Sequence, residues 1–397
     1  MRFLAIIFIS FFLLNGCSKR DETGVFEQVI EINAGQETET HVNENLVIVD
    51  PLRVRAAEIT SSLSDRLLTA QIFICGFDGR GSIPGYMKTL LENTPPGGVM
   101  LFRNNLNTDN RSIRTLINEA SSLIADKSSI APFVAVDHEG ESVNRFNRGV
   151  ADLPRASFYW DFFLTGAPGA ATSRIEEDSF KAAVIINGLG INMNFAPVAE
   201  HLTDNNRHFL NDRSYGPSPV FTSLAASAFV RGMERSGVMC VIKHFPGSAG
   251  LDPHYSPSII SADKKELDMI VSPFYSLILS GARAVMVSHT HVPAVDNRIA
   301  SLSPVVMRNW LREELGFNGI IIADDFYMAS AGGMNPDDAA ILSIASGADM
   351  VLVWQMTMRH THNEFMTALE RGILPRERLI ESVQRIIYEK LRMGLIE

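Results

Sequence analysis

Hydrophobic and polar positions along the chain follow two patterns that alternate. Eight short runs, at 71–77, 97–102, 131–138, 192–197, 240–245, 284–289, 319–324 and 349–354, are apolar or β-branched at nearly every position. A run without a polar face predicts a strand buried on both sides, the habit of parallel sheets covered by helices. Between the runs lie stretches with helical spacing at 109–126, 174–189, 220–235, 263–279, 305–315 and 339–346, and an amphipathic segment at 376–393 closes the series. Ser218-Pro219 and Ser303-Pro304 read as N-cap followed by proline in the first turn, and Asp263 with Glu266 reads as a capping box. Gly237, Gly281, Gly316 and Gly347 stand where a helix ends before a strand begins. A further helical pattern, 51–68, leads into the first strand.

Eight buried strands alternating with helices predict an α/β fold, a single (β/α)8 barrel of the TIM type. The alternative is a doubly wound open sheet, which would carry a glycine-rich nucleotide fingerprint after the first strand; none is there.

Composition narrows the class. Of 397 residues, 46% are hydrophobic and 20% charged, the balance of a globular chain. Lys and Arg number 35 against 45 Asp and Glu, and no basic run occurs, which argues against a nucleic-acid partner. Cys75 and Cys240 fall on the first and fifth predicted strands, across the barrel from each other, so free buried thiols are expected.

The first residues point to a compartment. Arg2 precedes the apolar run 3–14, too short for a spanning helix but suited to a signal peptide. Leu14-Asn15-Gly16-Cys17 resembles a bacterial lipobox, which implies cleavage before Cys17, its lipidation and an extracytoplasmic, membrane-anchored protein. Ser18 then implies the outer membrane in a cell with two; the alternative is a soluble signal peptide with a chance cysteine. The expected divisions are 1–16 signal peptide, 17–57 polar tether and lead-in, with a short strand near 47–49, and 58–397 barrel.

In such a barrel the chemistry sits where strands end. Those positions hold Asp137, Glu139, Lys243, His244, Ser288, His289, Asp324 and Asp325. Any one of them alone could be a cap or a solvated charge; their joint placement at one end predicts a site. A glycine-rich loop after Lys243-His244 ends in Asp252-Pro253-His254.

Val136-Asp-His-Glu-Gly140, Asn192-Met-Asn-Phe-Ala-Pro-Val198, Lys243-His-Phe-Pro-Gly247, Leu315-Gly-Phe-Asn-Gly319 and Ala323-Asp-Asp-Phe-Tyr-Met328 together resemble glycoside hydrolase family three, on its β-N-acetylhexosaminidase branch. The resemblance runs from about residue 58 to the C-terminus. It implies a retaining exo-β-N-acetylglucosaminidase acting on small glycosides, peptidoglycan fragments among them, without metal or cofactor. Asp324 matches the nucleophile, and His254 with Asp252 matches an acid/base dyad. Asp137, Arg145, Arg213, Lys243 and His244 match residues that bind the N-acetylglucosamine ring.

Three departures stand out. Gly140-Glu141-Ser142 replaces the family's Gly-Gly-Arg, Pro246-Gly-Ser-Ala-Gly250 replaces Pro-Gly-His-Gly in a loop about two residues shorter, and Pro253 stands inside the dyad. They keep a non-catalytic sugar-binding lipoprotein open as an alternative. A metal-dependent hydrolase using His289-Thr-His291, His360-Thr-His362 and Asp324 is another, and a phosphorylase variant a third.

Overall fold

The computed structural model describes residues 50–166, 168–328 and 331–397, so the expected signal peptide, Cys17, the tether up to residue 49 and the short strand near 47–49 lie outside the described residues. Each apolar run supplies one strand: β1 Phe73–Gly76, β2 Gly98–Leu101, β3 Phe133–Val136, β4 Met193–Asn194, β5 Met239–Phe245, β6 Ala284–Val287, β7 Ile320–Ala323 and β8 Met350–Val353. Neighbours pair in parallel, and β8 returns to β1 with Val351 opposite Phe73, closing the barrel. Closure excludes the open sheet. Nearly every strand residue is buried because the barrel interior packs one face and the helices the other.

The helices start and stop where local chemistry directs. Ser218 accepts from the N–H of Phe221, and Asp263 and Glu266 form the reciprocal capping box. Ser303 Oγ accepts from Val306 N–H at the start of the π-wound helix Val305–Glu314. Gly237, Gly281, Gly316 and Gly347 all take positive φ, which only glycine enters without steric cost. The 51–68 pattern differs from expectation: it forms two helices, Pro51–Ser62 and Asp65–Gln71. Leu63 turns extended, and Ser64 then caps the second helix by accepting from Leu67 N–H.

Helix Arg376–Arg392 lies across the N-terminal end of the barrel and seals it. Arg378 and Arg385 each reach Asp349 Oδ1 at 3.0 Å, just ahead of β8. Arg312 binds the other oxygen of Asp349. Glu389 takes Arg283 ahead of β6, and Lys390 Nζ donates to Gln71 Oε1 at 2.9 Å ahead of β1. The charges at this end are thus committed to structure. On the barrel's flank, a Cβ on Gly232 would stand 2.4 Å from the carbonyl of Glu176, so glycine there lets helices Pro219–Glu234 and Pro168–Gly188 touch. Cys75 and Cys240 are free and buried on β1 and β5, and burial raises both thiol pKa values.

Candidate active site

The opposite end is open. A cavity of about 400 Å³ sits over the strand C-termini, and Asp137, Arg145, Arg213, Lys243, His244, His254 and Asp324 all line it. Asp252 reaches it through His254. The fold therefore gathers residues spread from 137 to 324 into one place.

Asp137 and Glu139 follow β3, and Lys243 belongs to β5. Lys243 Nζ lies 2.8 Å from Asp137 Oδ1 and 2.7 Å from Glu139 Oε1. Arg145 reaches Asp137 Oδ2 at 3.3 Å, and Arg213 binds Glu139 through both Nε and Nη2, at 2.8 and 2.9 Å. Burial opposes charge on Lys243, yet the two carboxylates outweigh it and hold the amine's pKa above its ordinary value. Burial likewise opposes ionisation of Asp137 and Glu139, and the facing cations keep both below the usual carboxylate range. The cluster is a fixed, mutually neutralised lattice of donors and acceptors, suited to exchanging hydrogen bonds with hydroxyl groups.

His244 is held from behind. Its Nδ1 lies 2.7 Å from Glu200 Oε1, and a carboxylate partner places the proton on Nδ1. Glu200 also receives the His244 backbone N–H at 3.2 Å and the Ser248 hydroxyl.

Asp324 and Asp325 follow β7 but differ in environment. Asp325 is engaged on both oxygens, accepting Tyr327 N–H at 3.0 Å and Trp354 Nε1–H at 3.1 Å, and its carbonyl accepts from His289 Nε2 at 2.9 Å. Burial, aided by the charge on Asp324, raises its pKa. Asp324 accepts one bond among the described residues, from Asp325 N–H at 2.9 Å to Oδ1. Of the adjacent pair, Asp324 is the carboxylate left available to a ligand.

His254 comes from the loop between β5 and helix Lys264–Leu279, with its side chain 59% exposed. Its Nδ1 stands 2.7 Å from Asp252 Oδ1, the same oxygen that accepts the His254 backbone N–H at 3.0 Å. Nε2 is left as the nitrogen that can exchange a proton with a ligand.

A model of the glycosyl hydrolase family 3 N terminal domain matches residues 80–388. The chain belongs to glycosyl hydrolase family 3.

It is therefore a glycoside hydrolase. A β-hexosaminidase of Methylococcus capsulatus is 32% identical over 264 residues, covering 65% of this chain and 75% of that protein. Among solved structures, a family 3 β-N-acetylglucosaminidase from Paenibacillus sp. superposes with a TM-score of 0.76 at 27% identity, over 84% of this chain and 63% of that one. NagZ from Neisseria gonorrhoeae, crystallised with N-trifluoroacetyl-D-glucosamine, gives a TM-score of 0.69 at 26% identity, over 80% and 89% of the two chains.

In this family 3 enzyme the cavity has a second, apolar sector. Phe102 and Trp354, at the ends of β2 and β8, stack at 5.3 Å, and Ile74, Met100 and Leu352 continue that wall. Glu200, Trp354 and Phe102 are not among the site residues expected from sequence, and Glu139 is expected there as a strand-end carboxylate without a specific role. Glu139 and Trp354 carried a signal as polar or aromatic groups at strand ends. Glu200, beyond the Ala196-Pro197-Val198 stretch, carried none that separates it from an ordinary loop carboxylate.

Three of the four histidines considered as metal ligands have other partners, while His291 Nε2 is buried without a hydrogen-bond partner among the described residues. His289 is engaged at both nitrogens, by Ser301 and by the Asp325 carbonyl. His360 pairs with Asp337 and Glu364, and His362 donates to the carbonyl of Arg66. Among the described residues no three His, Cys, Asp or Glu side chains form a ligand set. Glu141, in the altered Gly-Gly-Arg position, is exposed and lies 4.0 Å from Arg155.

Proposed function

We propose that this enzyme is a retaining exo-β-N-acetylglucosaminidase that removes terminal β-linked N-acetylglucosamine from small glycosides. The observation that carries this reading is one cavity bordered by an available carboxylate, Asp324, by a His254 oriented by Asp252, and by the Asp137, Arg145, Lys243 and Arg213 lattice. The β-hexosaminidase relatives support it.

The sugar ring's hydroxyls exchange bonds with Asp137, Arg145, Lys243, His244 and Arg213, fixing the anomeric carbon near Asp324. An Asp324 oxygen attacks that carbon while His254 gives its Nε2 proton to the departing glycosidic oxygen, leaving a glycosyl-aspartate. His254 then takes a proton from water, whose oxygen displaces Asp324 and releases the sugar with its configuration retained. An imidazole serves both halves because its ordinary pKa lies near neutrality. The Asp252 carboxylate faces the cationic form that His254 has before the first half and regains in the second.

We place the enzyme outside the cytoplasm, with 1–16 removed, Cys17 lipidated and 17–57 leading to the barrel, on the strength of the lipobox-like Leu14–Cys17 pattern. Peptidoglycan fragments are substrates of suitable size and chemistry there. Incorporation of a labelled fatty acid, lost in Cys17→Ala, tests the anchor.

The activity is tested by hydrolysis of aryl β-N-acetylglucosaminides beside other aryl β-glycosides, with trapping of the covalent intermediate by a fluorinated sugar and peptide mapping. Label on Asp324 is expected. Label elsewhere, or sugar binding without turnover, would sink the assignment. Added phosphate yielding sugar 1-phosphate would make the enzyme a phosphorylase.

A further inference from the structure

The loop after β5 departs from the family pattern at Ser248 and Ala249, and both departures have partners. Ser248 Oγ donates to Glu200 Oε2, while Glu200 Oε1 accepts the backbone and ring N–H groups of His244. One carboxylate, on a residue only 2% exposed, thus holds a cavity residue with one oxygen and the base of the loop with the other. Burial opposes its charge, but the His244 and Ser248 bonds outweigh this and keep its pKa below the ordinary value.

The next two residues are tied as well. Ala249 N–H donates to Ser258 Oγ at 3.0 Å, and Gly250 N–H to the Asn205 carbonyl at 2.6 Å. Ser258 Oγ in turn meets Thr290 Oγ1 at 2.9 Å, beyond β6. The segment 251–257 spans these anchors and carries Asp252 and His254. Ser248 also forms wall for both the 400 Å³ cavity and a neighbouring one of about 230 Å³ lined by Glu200, Asn205 and Asn206. With space on both sides, the Ser248 side chain is held by its hydrogen bond to Glu200, which adds to the backbone ties at Ala249 and Gly250 and alone connects the loop base to His244.

We propose that Glu200 and Ser248 are a positioning pair that joins the sugar lattice to the acid/base loop, so that Ser248 governs proton transfer to the leaving group and Glu200 governs both proton transfer and sugar placement. The inference rests on the acid/base assignment above. Neither residue touches the reacting atoms in this scheme; each acts through His244 or His254.

Leaving groups separate the two effects. A nitrophenolate departs from the anomeric carbon as a stable anion and needs little protonation. A sugar alkoxide does not depart until its oxygen receives a proton from His254. Misplacing His254 therefore slows cleavage between two sugars far more than cleavage of the aryl glycoside.

The test compares kcat and KM on 4-nitrophenyl β-N-acetylglucosaminide and on N,N′-diacetylchitobiose, with the full chain. Ser248→Ala is expected to lose about tenfold or more in kcat on the disaccharide and about twofold or less on the aryl substrate, with KM little changed. Ser248→Thr, which keeps the hydroxyl, restores the disaccharide rate. Glu200→Ala loses on both substrates and raises KM. Glu200→Gln, whose amide can accept from His244 while donating to Ser248, falls between wild type and Glu200→Ala. Equal losses on the two substrates in Ser248→Ala, or no loss on either, would overturn the proposal; Ser248→Thr and Glu200→Gln decide it if the alanine variants unfold. Wild-type enzyme that cleaves neither substrate would instead sink the activity reading, a result visible before any variant is made.

Discussion

Lys243 Nζ and Glu139 Oε1 meet at 2.7 Å across the mouth of the barrel, both side chains about 4% exposed. Glu139 also receives both donors of the Arg213 fork, so a single carboxylate aligns two of the cations expected at the sugar. Removing one partner of a buried, bonded charge set leaves the others uncompensated. Glu139→Gln is therefore expected to lower kcat/KM for an aryl β-N-acetylglucosaminide by about a hundredfold, through KM and kcat together. Steady-state kinetics, with circular dichroism to establish the fold, check this; unchanged kinetics would remove Glu139 from the site.

Asp324 and Asp325 should respond differently. Asp324→Asn removes the carboxylate proposed to attack the anomeric carbon and is expected to cost at least about a thousandfold in kcat. Asp325→Asn keeps an acceptor for one of the Trp354 and Tyr327 N–H groups and loses the other, and is expected to cost about tenfold. Single-turnover rates measure both, and a reversed order would exchange the two roles.

Asp349 lies beneath the barrel against Arg312, Arg378 and Arg385 and is fully buried. Burial raises its pKa, but the three guanidinium groups prevail and hold it at about 2, against an ordinary 3.8. With the folded value depressed, the unfolded chain takes the proton first on acidification. The stability is present above about pH 4 and disappears as pH falls through 2. Asp349→Asn is expected to lose about 3–5 kcal/mol at pH 7 in urea denaturation and to flatten the acid limb between pH 4 and 2.

Lys390 is buried under the Phe133 ring with Gln71 Oε1 as its hydrogen-bond acceptor, and burial lowers its pKa to about 7. Here the unfolded chain binds the extra proton between pH 7 and about 10. This lysine's contribution to stability therefore rises with pH across that window. The difference between wild type and Lys390→Met in urea midpoints at pH 7 and pH 10 isolates it, with an expected change of a few kcal/mol between the two. A constant difference would show that the amine stays charged.

The site was partly legible in the sequence. Asp137, Lys243, His244 and Asp324 stand at or just past the ends of apolar runs, and a barrel brings such ends together whatever the loops do. Asp252 and His254 are two residues apart, close enough for their bond to form locally. Glu200 and Ser248 acquire their roles from partners on other elements, which no local pattern announces, and Trp354, legible as an aromatic group at a strand end, gains its bond to Asp325 only from the fold.

By itself the sequence determined what depends on neighbours within a few positions. Apolar runs bury as strands, Ser218 and Asp263 cap helices, and glycines end them, because these effects arise from backbone geometry and hydrogen bonds close in the chain. Only the tertiary structure decided that Arg213 turns onto Glu139, that Asp325 is tied down while Asp324 is not, and that Glu200 links His244 to Ser248. Those choices come from competition among polar groups brought together by closure of the barrel, where burial penalises any charge left unpaired and so selects the one arrangement that satisfies them jointly.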